Sequence, residues 1–213
     1  MKRAKKKIQT KKESKELLFL KTLTTPIRIQ DYLDSIPFNF CEDEETCMSP
    51  ARTVSAKKAD CLEGALLAAA CLWLQGETPH IMNLKVRKGF GDDDHAVAVY
   101  KRNGYFGAIS KTNHAVLRFR DPVYKTLREL AMSYFHEYFL YKNGTKTMSG
   151  YSSLVDLRRF GKGWITAEHN LWDIAEKLYH AKHYATVPEA NKKYVRKATQ
   201  FERTVTETTE YTK

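Results

Sequence analysis

From Thr25-Pro26 onward, apolar residues recur at Ile27, Ile29, Tyr32, Leu33 and Ile36. This spacing predicts a short amphipathic helix with Thr25 as N-cap and Pro26 at its first position, ending before Pro37. Segment 38–56 shows no such period and reads as a loop in which Ser49-Pro50 opens a turn of helix. The stretch KKADCLEGALLAAACL follows, at residues 57–72. There Leu62, Ala65, Leu66, Ala69, Ala70, Leu72 and Trp73 build a helix that is apolar on nearly every side and ends near Gly76, with Asp60 and Glu63 at capping-box spacing. A helix without a polar face belongs in the centre of a fold.

Past Gly76 the period changes from helical to alternating. Strands are predicted over Ile81–Arg87, His95–Lys101, Tyr105–Ser110 and Ala115–Phe119, with Asn103-Gly104 as a hairpin turn. Asp121-Pro122 is read as the cap of a following helix, in which Leu127, Leu130, Ala131, Tyr134, Phe135 and Tyr138 share a face. A Gly- and Ser-rich segment, 143–163, separates it from another helix, opened by Thr166 and carrying Leu171, Trp172, Ile174, Ala175 and Leu178. Helices, then strands, then helices specify an α+β fold, an antiparallel sheet against a central buried helix.

The length of 213 residues suits one domain with decorated ends. The expected division is a basic, disordered tail over 1–16, a core over 17–140, a helical extension over 141–190 and a second basic tail over 191–213. The net charge of +11 sits largely in the two ends, since 1–16 hold eight Lys or Arg against two Glu and 191–213 hold six against three. Such ends suit nucleic acid or an anionic surface, and KRAKKK reads as a short nuclear-localisation patch. No apolar run reaches the ~20 residues of a membrane span or the ~7 to 15 of a signal-peptide core. A cytoplasmic location, or a nuclear one by way of KRAKKK, is therefore expected, with Cys41, Cys47, Cys61 and Cys71 reduced. The cysteines lack zinc-ligand spacing, so neither a metal nor another cofactor is expected.

Candidate chemistry begins at Cys61. With Asp60 as N-cap it takes the first helical position, where free N–H groups and the helix dipole favour a thiolate and can hold an oxyanion. Cys71, deeper in the helix, reads as a core residue. His95 opens the strand HAVAVY on the face of Val97 and Val99, directly after Asp92, Asp93 and Asp94, carboxylates expected to favour an imidazolium. A hairpin closed by Asn103-Gly104 puts Ser110 diagonal to His95, and one closed by the four residues Lys101–Gly104 puts it directly opposite. In either register the two share a face. Asn113, past the strand end, is an alternative orienting residue because its amide oxygen can accept from the ring N–H. His114 can line the same cleft, whereas His136, His169, His180 and His183 read as surface residues. Tyr134, Phe135, Tyr138, Phe139, Trp164 and Trp172 read as packing.

Taken together, TPIRIQDYLDSIPFNF, SPARTVSAKKADCLEGALLAAACLWLQGETPHIMNL and DDDHAVAVYKRNGYFGAIS resemble the core of the transglutaminase-like superfamily, relatives of papain-like cysteine proteases, over about residues 25–110. The resemblance implies a Cys–His acyl-transfer site acting on a protein or peptide substrate, with Cys61 as nucleophile and His95 as general base. It also implies an Asp or Asn as third residue, at a place where this chain has Ser110. A serine accepts a hydrogen bond but carries no charge, so it stabilises an imidazolium less. Three readings follow: a cysteine amidase or peptidase, a catalytically inactive interaction module on the same fold, and nucleic-acid binding through the basic ends.

Overall fold

The computed structural model describes residues 13–41 and 44–212. Most of the expected 1–16 tail, including KRAKKK, lies outside the described residues. Helix α1 (Lys15–Thr22) starts within that expected tail. It is followed by α2 (Pro26–Ser35), whose Thr25 hydroxyl accepts from Arg28 N, and α3 (Pro50–Ala56), capped in the same way by Ser49. The central helix α4 (Cys61–Leu74) carries a complete capping box between Asp60 and Glu63, and every residue from Glu63 to Leu72 is buried.

A seven-stranded antiparallel sheet lies against α4. Its strands are β1 (His80–Val86), β2 (His95–Arg102), β3 (Tyr105–Ser110), β4 (Arg120–Tyr124), β5 (Met148–Ser152), β6 (Val155–Asp156) and β7 (His183–Ala185). The order is β4-β3-β2-β1-β5-β7, with β6 pairing β1. Alternation along β2 divides the core. Ala96, Ala98 and Tyr100 pack with α4, while Val97 and Val99 pack with Leu130, Ala131 and Tyr134 of α5 (Leu127–Phe135) on the other face.

Several expectations are corrected. Residues 115–119 form no strand; the strand comes later, as β4, and Asp121 lies inside it rather than capping a helix. Pro122 is tolerated because β4 is an edge strand and its pairing with β3 shifts register between Phe106 and Ala108, so the missing N–H interrupts no ladder. The cap of α5 is instead Thr126. Residues 141–190 are not a helical extension, since β5, β6 and β7 complete the main sheet. Their small, polar sequence hides this: Ser152 Oγ accepts from Asn83 N at 2.9 Å and Ser149 Oγ donates to Val86 O at 3.0 Å, so side-chain hydroxyls add to the pairing that β5 makes with β1. Thr166 ends a 3-10 turn, and the helix expected there begins later, as α6 (Trp172–Tyr179). The 191–213 end is not a free tail either. It contains α7 (Gln200–Glu207) and docks beside β3, where Tyr211 N and O both bond the Asn113 amide at 2.9 Å.

One close approach sets the distance between α4 and the end of β3. A Cβ on Gly64 would lie 2.4 Å from Lys111 Cβ, so only glycine lets the helix seat there. Lys111 is fully buried and donates from Nζ to the carbonyls of Leu33 (2.8 Å) and Ile36 (2.5 Å), closing the C-terminal end of α2. Among the described residues no helix is long and apolar enough to cross a membrane.

Candidate active site

Cys61 is fixed by the start of α4. Glu63 N donates to Asp60 Oδ1 at 2.8 Å, and Asp60 N donates to Glu63 Oε2 at 3.0 Å. Glu63, wholly buried, also accepts from Asn39 Nδ2 (3.0 Å), Thr46 Oγ1 (2.6 Å) and Met48 N (2.9 Å), so one carboxylate ties the 39–48 loop to the helix N-terminus. Cys61 is half-buried, with its Sγ 4.0 Å from the Asp94 carbonyl oxygen. The expected lowering of its pKa is not found: burial first, then the Asp60 carboxylate, pushes the thiol up to about 12, and hydrogen bonds from Ala96 and Leu62 N–H offset only part of this. The helix end is present, but the carboxylate that caps it lies beside the sulfur.

His95 is 6 % exposed. Val97 pairs with Ser110, which is the register of a two-residue turn and sets Ser110 diagonal to His95. His95 Nε2 lies 2.7 Å from Ser110 Oγ, and Ser110 Oγ lies 2.5 Å from the Leu117 carbonyl oxygen. A carbonyl only accepts, so the Ser110 hydroxyl donates to Leu117, and its oxygen then accepts from the ring. This chain of bonds assigns the neutral imidazole its proton on Nε2 and its lone pair on Nδ1. Ser110 is itself held on both sides by Gln30 of α2, which donates to Ser110 O at 2.8 Å and accepts from Ser110 N at 2.9 Å. Leu117 has left-handed backbone, φ 61°, and its N–H donates to Glu137 Oε2 at 2.8 Å. Glu137 in turn pairs with Arg120 at 2.6 Å.

The aspartate run does not favour an imidazolium. Asp94 accepts from Val86 N and Asn83 Nδ2, both at 2.8 Å, and Asp92 accepts from Thr147 Oγ1. Those two carboxylates are thus held by β1 and by the approach to β5. Burial pushes the His95 imidazole down to about 4, only partly offset by the Leu117 carbonyl, and the nearby basic side chains His114 and Arg120 lower it further. Among the described residues no three His, Cys, Asp or Glu side chains gather in a way that could hold a metal ion.

Cys61 and His95 line one cleft of about 510 Å³ together with Phe40, Asp93, Asn113 and His114. Ser110 does not line the cleft and acts on it through its bond to the His95 ring. Asn113 reaches the cleft, but its amide is taken up by Tyr211, so it is not the group that orients His95. Compared with models of known protein families and with curated proteins, the chain matches none. Sequence reasoning missed Gln30, Leu117 and Glu137. Only Gln30 left a signal, a polar residue inside the core-facing stripe Pro26, Ile29, Gln30 and Leu33 of α2.

Proposed function

We propose that the chain is a transglutaminase-like thiol acyl-transfer enzyme that hydrolyses amide or isopeptide bonds in a protein or peptide substrate. The observation carrying this reading is the Ser110 relay, which leaves Nδ1 as the proton acceptor of a ring that shares its cleft with Cys61. Sγ attacks the carbonyl carbon as Nδ1 takes the thiol proton, and charge gathers on the carbonyl oxygen near the N-terminal end of α4. The C–N bond then breaks, the imidazolium gives its proton to the departing amine, and a thioester remains on Cys61. Water, deprotonated by His95, releases the acid. Hydrolysis is preferred to cross-linking by analogy with the superfamily.

With the thiol pushed up to about 12 and the imidazole down to about 4, the resting pair is neutral. Proton transfer therefore accompanies attack instead of preceding it. The same neutrality favours a second reading, an interaction module that keeps the fold without turnover.

Iodoacetamide alkylation of Cys61 separates the two, followed by peptide mass spectrometry from pH 5 to 9 in wild type, His95→Ala and His95→Gln, with half-buried Cys41 as internal reference. The enzyme reading expects a Cys61 rate at pH 7 at least tenfold above that of either variant, with reactivity persisting below the ~8.5 of a free thiol. Profiles that coincide in all three proteins would leave the module.

A further inference from the structure

Cys61 stands on the divide between two hollows of different chemistry. The cleft that holds His95 also holds Asp60, Asp92 and Asp93. The second hollow, about 400 Å³, also reaches Cys61, with Leu62 and Ala96; it shares Asp94 with the first, has Asn83 at its edge, and does not include His95. Its far wall is one face of α6, with Trp172, Ala175, Glu176 and Tyr179 at helical spacing. The opposite face of α6 is anchored in the core by Ile174, and Leu178, also in the core, forms the floor of the hollow at its edge. Trp172 is 46 % exposed and Tyr179 43 %, which corrects the expectation that Trp172 is a packing residue. The small Ala175 leaves a notch between the two rings, and Lys85 Nζ lies 5.0 Å from the Tyr179 ring centre, bracing it from outside.

The reaction proposed above, on which this inference rests, assigns the two hollows to the two halves of a substrate. The departing nitrogen must take its proton from His95, so the amine half lies on the side of His95. The acyl half, bonded to Sγ, extends the other way. We infer that the α6 hollow is the acyl-side subsite and receives a large apolar side chain on the residue that supplies the attacked carbonyl. The His95 side, with its aspartates, takes a polar or cationic amine. The substrate class is then a polypeptide cleaved after a bulky apolar residue. The volume falls within the ~300–1,000 Å³ usual for ligand pockets, and apolar walls around a single large side chain are what such a pocket needs. Residues 141–213 thereby acquire a role in selectivity, through α6.

Acetyl-phenylalanyl and acetyl-glycyl chloromethyl ketones test this on the full chain. Sγ displaces chloride, forming the C–S bond as the C–Cl bond breaks, with the thiol proton passing to His95. Wild type is expected to react about tenfold faster with the Phe reagent than with the Gly reagent. Trp172→Ala, which removes the wall, and Ala175→Leu, which fills the notch, are each expected to bring that ratio close to one. Iodoacetamide carries no side chain and reports in every variant whether the Cys61–His95 pair is intact. Equal Phe and Gly rates in wild type, or a preference that survives both substitutions, overturns the subsite while leaving a His95-dependent iodoacetamide rate in place. Loss of that His95 dependence overturns the reaction itself.

Discussion

The two ends of α4 contain the same residue type and treat it differently. Cys71 is wholly buried among apolar groups, and burial alone pushes its thiol up. Cys61 is half-buried on a cleft, beside two aspartates that raise its pKa and two backbone N–H groups that lower it. At Cys71 nothing a ligand does can reach the sulfur. At Cys61 every influence except burial comes from a polar neighbour, so a substrate that covers the cleft or compensates Asp60 changes the balance. On the proposed reading, what separates the two thiols is the set of polar neighbours around Cys61, and not a low resting pKa.

The largest effect that sharpens this comparison is on stability. Glu63 takes up donors from Asn39, Thr46, Met48 and Asp60, so Glu63→Ala strands several buried donors at once. A loss of about 3–5 kcal/mol is expected in urea unfolding. Cys71→Ala removes one sulfur from the core and is expected to cost about 1 kcal/mol. Equal losses would mean that the polar end is no better ordered than the apolar one.

The next effect is on pH. The His95 imidazole is pushed from 6.5 down to about 4 in the folded chain, so on acidification the unfolded chain takes up this proton first. Stability from keeping the ring neutral is complete above pH ~6.5 and is lost as pH falls to about 4, a span worth about 3 kcal/mol. Asp60 and Asp92, whose carboxyls are pushed up, act in the opposite direction over part of this range. The quantity to measure is therefore the wild-type minus His95→Gln difference in unfolding free energy at pH 6.5 and at pH 4. A difference that does not change between the two would place His95 in contact with solvent.

How much of this the sequence disclosed depends on how local each cause is. The capping box at Asp60 and Glu63, the apolar run of α4, and the Asn103-Gly104 turn act over a few residues, and all three were legible. The turn also limited the register to two, and both bring Ser110 to the face of His95. The strap 111–119 was not legible, because its course depends on a left-handed Leu117 tied to Glu137 and Arg120, residues that local pattern does not connect. Strands β5 to β7 escaped for a related reason: each is short, β5 and β6 pair with β1, which lies about 60 to 75 residues earlier, and β7 pairs in turn with β5. The protonation of the site was misread because adjacency in sequence was taken for adjacency of charge, whereas Asp92 and Asp94 spend their oxygens on Thr147, Asn83 and Val86.

The smallest effect concerns how the strap reaches His95. Glu137 touches neither Cys61 nor the ring; it holds Leu117 N–H, and the Leu117 carbonyl in turn directs the Ser110 hydroxyl. Its side chain is one-third exposed, so loss of its ion pair with Arg120 in Glu137→Gln is expected to cost under ~1 kcal/mol. A neutral amide can still occupy the space but holds Leu117 less firmly, and the expected consequence is a threefold to fivefold slower Cys61 alkylation, on the order of the 0.5–1 kcal/mol that one weakened hydrogen bond supplies. A purely structural role would lower stability and leave the ring unchanged. The deciding measurement is the nitrogen-15 signature of His95, in which the Nε2–H tautomer should lose population in Glu137→Gln and still more in Ser110→Ala. An unchanged tautomer in Ser110→Ala would show that the ring is oriented by burial alone, and the difference between the two ends of α4 would then rest on Asp60 and the backbone around Cys61.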